Sequence, residues 1–203
     1  SQDYLPALNS IWEDIVEKKI YVTGAIGTAQ FHDEGFGSDY NLPNESAYCE
    51  TCSAIALMLW NYRMEQISGD SKFADLFELT LYNGGLSGGS ASGDRFFYTN
   101  PLEGKEGNNR RPWYEPGCCP SNFVRFIPQI DRFIYGQNGD EIFVNQFIGS
   151  KVALQIDGKS LDLVMETNYP WEETVDITIE AVNPVKANLL IRIPGWARGS
   201  FFP

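Results

Sequence analysis

Residues 132–147 read RFIYGQNGDEIFVNQF, and within this stretch the spacing of the apolar residues changes. Before it, Phe123, Val124, Ile127, Ile130 and Ile134 recur at helical intervals. After it, short apolar runs at Ile142–Phe147, Val152–Ile156, Leu161–Met165, Thr174–Glu180 and Asn188–Ile193 read as strands. Gly, Asp, Asn and Pro separate them, as turns require. In Thr174–Glu180 the alternation is clean: Val175, Ile177 and Ile179 share one face, Asp176 and Thr178 the other. Helices followed by strands predict an α+β chain with a boundary near Gly136–Asp140. The expected regions are 1–136, helical, and 137–203, β-rich.

Working towards the N-terminus, residues 47–67 are mostly apolar and predict a buried helix, which Gly69 and Asp70 break and restart. The next helix places Phe73, Leu76, Phe77 and Leu81 on one face and ends at Asn83-Gly84-Gly85. Leu5, Leu8, Trp12, Ile15 and Val16 predict a first helix over 3–19. The glycine-rich stretches 21–44 and 87–118 read as long loops, with a short strand at Arg95–Thr99, and long loops are often functional. Pro120 is expected to open a last helix, as a proline at the first helical position would, with an irregularity at Pro128.

The chain is 43% hydrophobic and 14% aromatic, enough to build a core. Its net charge of −12 argues against nucleic acid and against anionic membrane surfaces. It fits a neutral or cationic small substrate, or merely a solvated surface. No apolar run reaches the roughly 20 residues of a membrane span. Ser1–Ser10 lacks the basic start and apolar core of a signal peptide.

Four cysteines fall in two tight pairs, Cys49 with Cys52 and Cys118 with Cys119. Each pair sits at an expected helix start, where a thiolate is favoured. With Glu50 between the first two, the residues form a donor set for a soft tetrahedral metal, zinc first. Two other readings stand beside it: buried free thiols, or disulfides between the pairs.

The runs Tyr21–Gly27, Asp39–Asn44, Tyr48-Cys49-Glu50-Thr51-Cys52, Phe97–Glu103, Cys118-Cys119-Pro120 and Ile191–Trp196 together resemble glycoside hydrolase family 127. The resemblance spans nearly the whole chain, and the Glu-Thr-Cys and Cys-Cys-Pro pair in this order is its specific part. It implies a β-L-arabinofuranosidase. Glu50, Cys52, Cys118 and Cys119 match the zinc ligands, Cys118 the nucleophile and Glu34 the general acid/base. The implied reaction is a double displacement with retention. It also implies that the helical region is the C-terminal part of an (α/α)6 toroid and that the rest begins an antiparallel β-sandwich.

A toroid of about twelve helices needs far more residues than precede Gly136. The chain is therefore expected to be a fragment that lacks part of the sugar pocket and turns over little substrate alone. Its uncovered apolar helix faces are expected to drive self-association into a homo-oligomer. Cys49 departs from the family pattern and is taken as a packing residue. Asp33 and the single histidine, His32, receive no role. Two alternative functions remain: a structural zinc module closed by four cysteines, and a disulfide-stabilised carbohydrate-interaction module.

Overall fold

The computed structural model describes residues 4–29, 34–104 and 106–198. His32 and Asp33 lie outside them. The described chain is α+β, with helices first and two small sheets after them.

Helix α1 spans Leu5–Lys18 and buries Trp12, Ile15 and Val16. Pro6 lies in its first turn, where a missing N–H costs nothing. Helix α2 spans Thr51–Ser68 and has apolar residues on all sides. Such a helix is normally enclosed, and Ala54, Ile55, Leu57, Met58 and Met64 are buried. The Trp12 indole donates to Asn61 Oδ1 over 2.8 Å, tying α1 to α2. Gly69, at φ +67, ends α2, and its amide donates to Glu65 O. Asp70 then caps helix α3, Ser71–Thr80, by accepting from the Lys72 amide. The glycine pair does not simply stop this helix. Leu81–Gly85 forms a π-helical turn and Leu86–Gly88 a 3-10 turn.

Helix α4 spans Cys118–Phe126 with Gly117 as its N-cap. It therefore starts two residues before Pro120, which occupies the third helical position. Both adjacent cysteines lie within the first turn. Pro128 lacks an amide to continue the α-helical ladder, and the chain tightens into a 3-10 helix over Ile127–Phe133.

No strand forms at Arg95–Thr99. Phe96 makes single bridges to Gly89 and Arg111, and Thr99 one to Glu50. The partners change too quickly for a ladder to grow.

The strands are β1 Tyr135–Asn138, β2 Glu141–Val144, β3 Ser150–Ile156, β4 Lys159–Thr167, β5 Val175–Glu180 and β6 Asn188–Ile191. Strand β1 occupies part of the stretch read as a boundary. It pairs with β2 through a two-residue turn, Gly139-Asp140. The sheets have orders β1-β2-β6 and β3-β4-β5. The second is antiparallel throughout. The first is mixed, because β6 runs parallel to β2, which corrects the expectation of a purely antiparallel arrangement. Asp157-Gly158, both at positive φ, make the β3–β4 hairpin turn. Period-two burial holds in β2 (Ile142, Val144) and β4 (Leu161, Leu163, Met165). These residues of the two sheets meet in shared apolar clusters, one around Ile142, Ile156 and Leu163, the other around Val144, Phe147 and Met165.

The chain groups into two compact units, 1–63 with 76–127, and 64–75 with 128–203. All six strands belong to the second. Within it, Arg192 donates to Asp75 Oδ1 and to Asn145 O, each over 2.6 Å, and Gln146 donates to Ala74 O. Among the described residues no helix is long and apolar enough to cross a membrane.

Candidate metal centre and active site

Three segments of the first unit supply the site: the start of α2, the loop before α4 and the first turn of α4. The loop residues 96–100 run alongside Cys49–Thr51. The Thr51 amide donates to Tyr98 O over 3.0 Å, and the Asn100 amide to Cys49 O over 3.1 Å. The Thr51 hydroxyl donates to Phe97 O. This contact requires the neighbouring 3-10 turn to approach closely. A Cβ at Gly88 would stand 2.6 Å from Thr51 Cγ2.

The result is one cluster. Ligand atoms of Glu50, Cys52, Cys118 and Cys119 all lie within 4.8 Å of one another. Cys119 Sγ is 3.3 Å and Cys118 Sγ 3.7 Å from Glu50 Oε1, and the two sulfurs are 3.9 Å apart. Metal–sulfur bonds of about 2.3 Å in a tetrahedron put sulfurs about 3.8 Å apart and a sulfur and a carboxylate oxygen about 3.6 Å apart. The donor set and its spacing fit zinc. Glu50 and Cys119 are buried, while Cys52 and Cys118 are partly open.

The electrostatics have one sign. The Cys119 thiol bonds to Cys52 and holds it below the usual thiol range, helped by the Asn122 side chain, against burial and the charge of Glu50. That same bond to Cys52, then burial, pushes Cys119 far up. Burial also raises Cys118, although the Tyr98 hydroxyl, 3.3 Å from its sulfur, donates to the thiolate and partly offsets this. Without a cation, Cys118 and Cys119 thus keep their protons to higher pH than an ordinary thiol does. A divalent cation would release those protons on binding.

Glu34 is described and exposed, and it is not one of the four. Its charge acts on the phenol of Tyr48, which is raised by burial first, then by Glu50, with Glu34 contributing. Tyr48 packs edge-on against Tyr98, with centroids 6.3 Å apart, and Tyr114 does the same from 5.6 Å. Thus the aromatic group beside Cys118 extends to within the field of Glu34.

Cys49 stays outside the cluster. It is fully buried with Tyr21, Ala25 and Ala47, and burial pushes its thiol up to about 12. The four-sulfur reading lacks its fourth sulfur, and all four cysteines are free, contrary to the disulfide reading. Sequence reasoning gave no role to Tyr98, Asn100 or Asn122. The run Phe97–Glu103 had marked the region through the resemblance alone. A tyrosine and an asparagine in a loop carry no pattern of their own.

Three thiols and one carboxylate gathered at two helix starts form a donor set that could hold a metal ion. Residues 1–132 match the family model "Beta-L-arabinofuranosidase, GH127 catalytic domain", and residues 141–202 match "Beta-L-arabinofuranosidase, GH127 middle domain". The chain belongs to glycoside hydrolase family 127. A non-reducing end beta-L-arabinofuranosidase of Bifidobacterium longum subsp. longum is 32% identical over 216 residues, covering 98% of this chain and 32% of the relative. A solved GH127 beta-arabinofuranosidase superposes with a TM-score of 0.95 at 44% identity, over 98% of this chain and 31% of that one. A GH127 beta-L-arabinofuranosidase from Geobacillus stearothermophilus T6 gives 0.86 at 40% identity, over 91% and 31%. The chain spans about a third of the length of these relatives.

Proposed function

We infer that this chain carries the reaction centre of a retaining glycoside hydrolase that acts on β-L-arabinofuranosides. The observation that carries the reading is the convergence of Glu50, Cys52, Cys118 and Cys119 within 4.8 Å, in a chain of this family. Those four residues would hold zinc. Bound there, the metal would supply the positive charge that keeps the nucleophilic sulfur ionised at neutral pH.

Cys118 is the nucleophile: its sulfur is partly open and lies 3.3 Å from the Tyr98 hydroxyl, which donates to it once it is a thiolate. Its lone pair attacks the anomeric carbon while Glu34 gives its proton to the departing glycosidic oxygen. A thioether to Cys118 forms, and the alcohol leaves. Glu34, now a carboxylate, takes a proton from water. The water oxygen displaces Cys118 with a second inversion, and the sugar departs with its original configuration. The Tyr98 hydroxyl, donating to the departing sulfur, stabilises it in that second step. The net charge of −12 suits an uncharged furanoside.

In this reading residues 1–136 are part of an (α/α)6 toroid and residues 137–203 part of a β-sandwich. The two family matches, ending at 132 and beginning at 141, support that division. The isolated 203 residues hold the nucleophile, acid/base and metal ligands but turn over little arabinofuranoside, and their uncovered apolar faces favour self-association.

Elemental analysis of the chain purified without chelator is expected to find one zinc per chain, weakened or lost in Cys118→Ser. No metal, with the cysteines oxidised, would sink the metal-centre reading. Rapid hydrolysis of an aryl β-L-arabinofuranoside by the 203-residue chain would sink the claim of an incomplete pocket.

A further inference from the structure

We propose that Asn100 is the positioning residue of the metal centre, clamping the backbone on both sides of Glu50 so that its carboxylate faces the three thiols. This rests on the reading that the cluster binds a metal.

Asn100 meets both neighbours of Glu50. Its side-chain amide donates to Cys49 O and to Thr51 Oγ1, each over 3.0 Å. Its backbone amide donates to the same Cys49 carbonyl over 3.1 Å. Its own side-chain oxygen is held in turn, accepting from the Ser87 hydroxyl over 3.1 Å. The Cys49 carbonyl, which can only accept, fixes which way the amide points: nitrogen to the Glu50 segment, oxygen to Ser87. Ser87 is anchored through its carbonyl, which accepts twice from Arg110, and the Arg110 guanidinium stacks over Phe97 at 4.4 Å.

The clamp has something to hold. Cys49 sits at φ +33, a conformation that residues with a Cβ rarely adopt. Strain of this kind persists only where the surroundings over-determine it, and it collects at functional sites. Here it has a geometric purpose. The turn at Cys49 sends its own side chain into the apolar cluster of Tyr21, Ala25 and Ala47, while the next residue, Glu50, reaches Cys119 at 3.3 Å. With Cys49 extended instead, its carbonyl would leave Asn100. The Cys49-Glu50 peptide would then rotate, and the carboxylate would swing away from the sulfurs. Cys52 lies one residue beyond the other clamped position, Thr51, so two of the four donors depend on the same side chain.

The decisive variant is Asn100→Asp. It keeps the shape but replaces the two N–H donors with an oxygen that repels Cys49 O. Zinc affinity, measured by competition with a chromophoric chelator, is expected to fall roughly 10- to 100-fold, as for residues that orient metal ligands. Asn100→Ala should lose as much. Circular dichroism and melting of the metal-free proteins guard against general unfolding. A purely structural role would lower the metal-free midpoint and leave affinity unchanged, and that result would overturn the proposal. Should wild type bind no zinc, the metal-centre reading fails separately. The clamp is then decided by amide exchange in the metal-free chain: exchange of the Thr51 amide roughly tenfold faster in Asn100→Asp supports it, and an unchanged rate refutes it.

Discussion

Two buried polar clusters, one in each compact unit, solve the problem of buried charge in opposite ways. In the second unit Asp75 meets Arg192, whose side chain is only 2% exposed, at 2.6 Å. It also accepts from the Gly195 amide and lies 3.7 Å from Arg198. That cluster is complete as it stands: the carboxylate faces two guanidinium groups, and both of its oxygens are used. In the first unit Glu50 and three cysteines converge, and the charges acting on the thiols come from Glu50 and the other thiols. A group that gathers negative donors is costly until a cation joins it. The Asp75 cluster is architecture, and the Glu50 cluster has the electrostatics of a binding site.

That contrast can be broken experimentally. Zinc at about 1,000 times its Kd should raise the unfolding free energy by about 4 kcal/mol. Glu50→Ala should abolish the gain, and denaturant titration with and without metal checks it. Asp75→Ala should cost about 3 kcal/mol with or without zinc, because it takes the carboxylate from beside buried Arg192. If added zinc recovered that loss, the two clusters would not be distinct. Gly88→Ala should cost about 1–3 kcal/mol by driving a methyl into Thr51, and should weaken zinc binding as well.

The smallest effect concerns pH. Burial raises the carboxyl of Glu65 above its usual value of 4.5, against a hydrogen bond from Asn145. The folded state therefore holds this proton longer than the unfolded chain. The stability this gives is full below pH 4.5 and is lost as pH rises through the folded value. Glu65→Gln should flatten the melting midpoint over that range, and an unchanged profile would contradict the assignment.

The sequence made strands legible where one face is buried and the period is two, as in Leu161, Leu163 and Met165. It missed β1, because Tyr135-Gly136-Gln137-Asn138 has no apolar alternation and owes its pairing to β2. It suggested a strand at Arg95–Thr99, because Phe96, Phe97, Tyr98 and Thr99 favour extended backbone. There the extended chain is used to bridge Glu50 and Arg111. The ligand types and their two-helix placement were visible in the spacing of the cysteines. The choice of Glu50 over Cys49 came from the resemblance and not from the spacing. It depends on one positive φ, set by contacts to a residue about fifty positions away.

The Asp75–Arg192 pair also bears on the order in which the molecule is made. The partners are 117 residues apart. At about 5–20 residues per second, Asp75 is synthesised roughly 6–23 s before Arg192. During that interval the segment 64–75 has been synthesised but has none of the sheets it belongs with, since every strand of its unit comes later in the chain. The second unit therefore closes last, and a nascent chain stalled before Arg192 would present that segment to chaperones and proteases.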